Sequence, residues 1–155
     1  MPEIRTIFLA GIIQGSLPDA IVEQDYRPPI VAALREAFPR AEIYDPIACF
    51  PNSLNFDEAR AKKVFFDLMR RAAETDLLVA YLPSASMGTA IELWNAFHAG
   101  KPVVVIGPLK KNWVVRFLAD HVCESIGEFA AWARSGALGR LAAGRASSPA
   151  GKGPG

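Results

Sequence analysis

Apolar and polar positions alternate along this chain in a repeating order: a short continuous apolar run, then a longer stretch with apolar residues three and four apart. "RTIFLAG" (5–11) is apolar throughout and ends in glycine, as a strand buried on both faces would be. "EQDYRPPIVAALREAF" (23–38) then carries Ile30, Val31, Leu34 and Phe38 at helical spacing, with prolines near its start. "AEIYDP" (41–46) predicts a second strand and "IACFPNSLNF" (47–56) a polar-aromatic loop. "DEARAKKVFFDLMRRAAET" (57–75) is an amphipathic helix opened by acidic residues, which suit the positive end of a helix dipole. "DLLVAYLP" (76–83) and "KPVVVIG" (101–107) predict strands three and four, with a helix "TAIELWNAFHAG" (89–100) between them that stops at glycine. A short helix (112–120), a weak strand "HVCES" (121–125) and a helix "IGEFAAWARSG" (126–136) follow.

Strand and helix in strict alternation require parallel strands joined by crossover helices on both faces. The expectation is one doubly wound five-stranded parallel sheet of the Rossmann/flavodoxin-like kind, in the order 2-1-3-4-5. In such sheets ligands bind beyond the carboxyl ends of the strands, where the order reverses between strands one and three. That rule sets the loop 11–16 beside the loop 83–89. The 155 residues suffice for one domain, placed at 1–141, and "AAGRASSPAGKGPG" (142–155) reads as a flexible tail.

Composition narrows the function. Hydrophobic residues are 51% and charged residues 21%, with a net charge of +1 and no block of like charge, which disfavours a nucleic-acid polymer or a membrane surface as partner. No apolar run has the length of a membrane span, and "MPEIRTIFLAG" lacks the pattern of a secretory leader, so a cytoplasmic location is expected. Cys49 and Cys123 form no CxxC or Cys/His cluster and are read as buried, reduced thiols. With His98 and His121 also isolated in sequence, neither a metal nor a cofactor is expected.

The chemistry-bearing stretch is "PSASMGTAIELWNAFHAGKPVVVI" (83–106). Ser86-Met87-Gly88-Thr89 lies between a strand end and a helix start, where unpaired N–H groups and the helix dipole favour an anion. Gly88 permits close approach of a ligand to the backbone, and Ser86 and Thr89 supply hydroxyls. Thr89-x-x-Glu92 is also a capping-box pattern, a purely local reason for both residues. Against that, Glu92 sits in a helix with few other charges, on a stripe with Asn95, Ala96 and Ala99, and a buried carboxylate needs partners or a job. In the first loop, Gly11 and Gln14 are candidates to line a site, although "GIIQGS" is no dinucleotide fingerprint. Asp67, beside Phe65, Phe66 and Met69, is the second candidate carboxylate.

These residues resemble the nucleoside 2-deoxyribosyltransferase superfamily, and within it the nucleoside 5′-monophosphate N-glycosidases. The resemblance runs over about residues 5 to 130, through "IFLAG", "FFDLMRRAAETDLLVAYLP" and, most specifically, "SMGTAIELWNAFHAGKPVVV". It implies a retaining mechanism: Glu92 attacks the anomeric carbon and expels the base, and water or a second base resolves the glycosyl-enzyme ester. Asp67 would handle protons near the base, and Gly11 with its loop would support sugar or base. Six residues before the nucleophile, the base-exchanging transferases carry an aspartate for a free 5′-hydroxyl, whereas the nucleotide hydrolases carry a serine. Ser86 therefore implies a nucleotide substrate. The resemblance further implies a homodimer or larger homo-oligomer that borrows a residue from a neighbouring subunit, for which Asn112 or Lys111 is a candidate. Trp113, Phe117 and Trp132 are candidate interface aromatics. The loop 47–56 departs from the family and would set base choice through Phe50, Asn52 or Phe56. Three rival readings stand beside the hydrolase. They are base exchange between deoxynucleosides, a phosphoribohydrolase of the cytokinin-activating type, and a nucleotide-binding module without turnover.

Overall fold

The computed structural model describes residues 3–14 and 20–146. Its five strands, β1 (Thr6–Gly11), β2 (Glu42–Tyr44), β3 (Leu77–Tyr81), β4 (Val103–Ile106) and β5 (His121–Cys123), form one parallel sheet in the order β2-β1-β3-β4-β5. This is the doubly wound arrangement that the alternating pattern predicts. The three central strands are buried almost without interruption. Their side chains part by period two into two cores. Ile7, Leu9, Leu77, Val79, Val104 and Ile106 face one layer. Phe8, Ala10, Leu78, Ala80, Val103 and Val105 face the other.

The first core is covered by α1 (Arg27–Ala37), α6 (Ile126–Arg134) and α7 (Ala137–Ala146). The second is covered by α3 (Glu58–Glu74), α4 (Met87–His98) and α5 (Trp113–Leu118). Local chemistry fixes where these helices begin. Asp57 Oδ1 accepts the Arg60 N–H at 2.8 Å to open α3, and Asn112 Oδ1 accepts the Val114 N–H at 3.0 Å to open α5. Past α3 the Asp76 carboxylate does not enter the strand. It accepts from the Arg5 and Thr6 N–H groups, each at 3.0 Å, and fastens the start of β1 to that of β3.

Three expectations need correction. The loop 47–56 contains a short helix α2 (Pro46–Cys49), capped by Asp45, and a 3-10 turn (Ser53–Asn55). Residues 142–146 belong to α7, whose Leu138 and Ala142 are fully buried, so the domain extends past 141; residues 147–155 lie outside the described residues. Cys49 is exposed, not buried, while Cys123 is buried, and both are free thiols. No helix among the described residues is long and apolar enough to cross a membrane.

Candidate functional site

A cleft of about 450 Å³ opens between the end of β1, the 3-10 turn, α3 and the first turns of α4. It lies at the carboxyl edge of the sheet, as the switch-point rule requires. Gly11 reaches it from the end of β1 and Gln14 from the segment after it, and Ser86, the N-cap of α4, with Gly88, Thr89 and Glu92 of that helix, from the other side. These six sequence candidates thus share one cleft. Gly15 and Ser16, the rest of the first loop, lie outside the described residues.

The start of α4 decides how its residues are used. The N-cap is Ser86, whose Oγ accepts the Thr89 N–H at 3.4 Å. Thr89 is therefore the third helical residue, and Glu92 lies a turn beyond any capping box. The local explanation for Glu92 is removed by two residues of helix that the sequence pattern did not include. Gly88 has a negative φ, and a Cβ built on it would meet nothing within 4 Å. The fold does not demand glycine there; open cleft lies beyond it. Gly11 differs, because a Cβ would stand 2.5 Å from the Tyr26 hydroxyl. That tyrosine donates to the Ile12 carbonyl at 3.1 Å and lies against Tyr81, with ring centres 4.4 Å apart. Gly11 makes room for a tyrosine, which is a reason within the protein.

Glu92 is buried, only 8% exposed, and no hydrogen-bond donor among the described residues reaches its carboxylate. Desolvation pushes its pKa from 4.5 up to about 8, and Arg27 pulls it back part of the way. The stripe that Glu92 shares with Asn95 and Ala96 is filled by packing. Ala96 is packed in the second core, and the Asn95 amide donates to the Met69 carbonyl at 3.2 Å, clamping α4 to α3. Space for a ligand lies instead toward α3 and the 3-10 turn, where Leu54, Phe56, Phe65 and Ile91 make an apolar wall.

Asp67 does not reach the cleft. Leu68 and Met69 do, and a residue before Leu68 is turned about 100° away. Its carboxylate is 45% exposed and pairs with Arg70 at 3.5 Å. Asn112 is exposed and occupied as the cap of α5, away from the cleft. Within the loop 47–56, Ser53, Leu54 and Phe56 line the cleft, whereas Phe50 packs on Phe56 at 6.0 Å and Asn52 opens the 3-10 turn. Trp113 and Phe117 are 74% and 58% exposed, and Trp132 stacks on His121 at 4.0 Å.

Arg27 escaped the sequence reading. It is 4% exposed; its Nη1 donates to Asp45 Oδ1 at 2.8 Å and to the Leu9 carbonyl at 3.3 Å, and its Nε to Gln24 Oε1 at 2.6 Å. One signal was present. A cation in the first turn of a helix opposes the helix dipole, so "YRPP" at the start of α1 marks an arginine placed for something other than the helix.

The fold and cleft define a doubly wound α/β protein with an open cleft at the carboxyl edge of its sheet. No family model and no curated protein matches the sequence. Among solved structures the chain is similar to the crystal structure of a conserved protein from Enterococcus faecalis V583, with 18% identity and a TM-score of 0.61 over 85% of this chain and 98% of that one. That likeness is one of fold.

Proposed function

We propose that the cleft binds a nucleoside 5′-monophosphate, and that Glu92 cleaves its N-glycosidic bond to release the free base. The observation carrying this reading is that one cleft holds the N-terminus of α4 and, a turn further along, a buried carboxylate that no hydrogen-bond donor among the described residues reaches. The phosphate takes the free N–H groups at Met87 and Gly88, the sugar lies over Glu92, and the base rests on the apolar wall of Leu54, Phe56 and Phe65. The Glu92 carboxyl first gives its proton to water; one carboxylate oxygen then bonds to the anomeric carbon as the bond to the base nitrogen breaks, and the base leaves with that electron pair and takes up a proton from water. A water oxygen next bonds to the anomeric carbon as the bond to Glu92 breaks, and its proton passes to solvent, which frees the sugar phosphate and restores the carboxylate.

Binding has the wider support, because it needs only the fold, the cleft and the helix terminus. Turnover rests on Glu92 alone. A nucleotide-binding module without turnover is the second reading, favoured by Asp67 lying off the cleft and by the burial that raises the Glu92 pKa. Base exchange between deoxynucleosides is the third.

A panel of ribo- and deoxyribonucleoside 5′-monophosphates separates these readings by titration calorimetry and by chromatography for free base. Binding with base release is the expected result. Binding without release supports the module, release only when a second base is added supports exchange, and no binding overturns all three.

A further inference from the structure

One wall of the cleft belongs to no helix or strand, and side chains hold it in place. Ile13 and Gln14 line the cleft just past the end of β1. Their course depends on where the carbonyls of residues 12 and 13 point. The Ile12 carbonyl accepts from two side chains, Gln24 Nε2 at 3.0 Å and the Tyr26 hydroxyl at 3.1 Å. The Ile13 carbonyl accepts the Val22 N–H at 2.7 Å, and Gln24 Nε2 donates to the Val22 carbonyl as well. One side-chain amide thus ties the cleft wall to the returning chain.

Arg27 fixes that amide. Its Nε donates to Gln24 Oε1 at 2.6 Å, and because a guanidinium has only donors, the amide must turn its NH2 to the two carbonyls. Arg27 Nη1 is anchored in turn on Asp45 Oδ1 at 2.8 Å and on the Leu9 carbonyl at 3.3 Å. The missing side chain at Gly11 belongs to the same arrangement, since a Cβ there would stand 2.5 Å from the Tyr26 hydroxyl and push it off Ile12. Val22, Gln24 and Tyr26 stand outside the cleft lining, so their bonds draw both carbonyls away from a ligand. A carbonyl that loses these donors must find another partner, and its negative end opposes an anion in the cleft.

We infer that Gln24 and Tyr26 are positioning residues for the cleft, with Arg27 orienting Gln24, and that together they set how tightly a nucleotide binds. The effect on affinity rests on the reading of the cleft as a nucleotide site; the positioning rests on the hydrogen bonds alone.

Two substitutions share only the loss of a donor to the Ile12 carbonyl. Gln24→Glu keeps an acceptor for Arg27 and adds a charge, whereas Tyr26→Phe keeps the ring and leaves the charge unchanged. Without ligand, residue-resolved hydrogen exchange reads the Val22 amide. It should exchange about tenfold faster in Gln24→Glu and about threefold faster in Tyr26→Phe, with the amides of β3 and β4 unmoved. An unchanged Val22 amide, or sheet amides that accelerate with it, overturns the positioning role. Calorimetry against AMP, GMP, CMP, UMP and their 2′-deoxy forms gives the second readout. For the nucleotides that the wild type binds, Kd should rise about tenfold in Gln24→Glu and about threefold in Tyr26→Phe, while any base release keeps its kcat within about twofold. An unchanged Kd beside a loosened Val22 amide overturns the role in binding. Arg27→Met, which frees the Gln24 amide, should match Gln24→Glu in both readouts, and a folded Arg27→Met protein with an unchanged Val22 amide overturns the part given to Arg27. Should that variant fail to fold, the first two decide. A wild type that binds none of these nucleotides removes the nucleotide reading, and the exchange result still decides whether the network holds the wall.

Discussion

A carboxylic acid buried in α4 destabilises the protein whenever it is charged, and this gives Glu92 a signature in stability as well as in chemistry. The folded-state pKa is raised from 4.5 to about 8, so between those values the folded protein holds a proton that the unfolded chain has released. Stability from this group therefore falls as pH rises through that window and is level on either side, by a few kcal/mol at most, roughly 1.4 per pH unit. Urea unfolding at pH 5, 7 and 8.5 should show Glu92→Gln gaining on the wild type as pH rises; a difference independent of pH would contradict the burial. Ser86 makes a second residue-scale case. Aspartate caps a helix as well as serine does, so Ser86→Asp keeps the start of α4. It also sets a carboxylate where the 5′-phosphate would lie, a repulsion of about 1–3 kcal/mol in a partly dry site. The expected outcome is at least a tenfold fall in kcat/KM for the nucleotide, with the nucleoside unchanged or improved. Equal losses on both substrates would reduce Ser86 to a helix cap.

Among the elements, those with the strongest patterns were the ones legible in the sequence. β1, β3 and β4 are apolar runs too continuous to be anything but central parallel strands, and α3 shows its polar face over seventeen residues. α7 was not legible, because "ALGRLAAGRA" carries two glycines that weaken a helix on its own. Docking supplies what propensity lacks: Leu138 and Ala142, four residues apart, enter the first core, and Arg145 pairs with Asp120. Leu138→Ala should accordingly cost about 2–5 kcal/mol in a denaturant titration. A cost below about 0.5 kcal/mol would return this segment to the tail that its composition suggests. Helix phase explains the misplaced carboxylate as well. Asp67 shares a neighbourhood in sequence with Leu68 and Met69, yet only a three-dimensional phase could show that the cleft takes those two and leaves Asp67 to Arg70. Arg27 was hidden for the opposite reason, since its partners Leu9 and Asp45 are each eighteen residues away.

At the scale of the whole molecule, strand order 2-1-3-4-5 brings the end of β1 and the start of α4 together, although they lie far apart in the sequence, at Gly11 and Met87. Arg27 and Asp45 pair near the same end of β1, and Phe65 of α3 helps to line the cleft. On the proposed reading this junction binds a nucleotide and Glu92 acts on it. Glu92→Gln, tested with whichever 5′-monophosphate the wild type turns over best, addresses it most directly, because the amide keeps the size of the side chain and removes the nucleophile. Base release should fall by at least a thousandfold, while calorimetric affinity for the nucleotide stays within about threefold and the thermal transition stays cooperative. Retention of base release by a folded Glu92→Gln protein would contradict the claim.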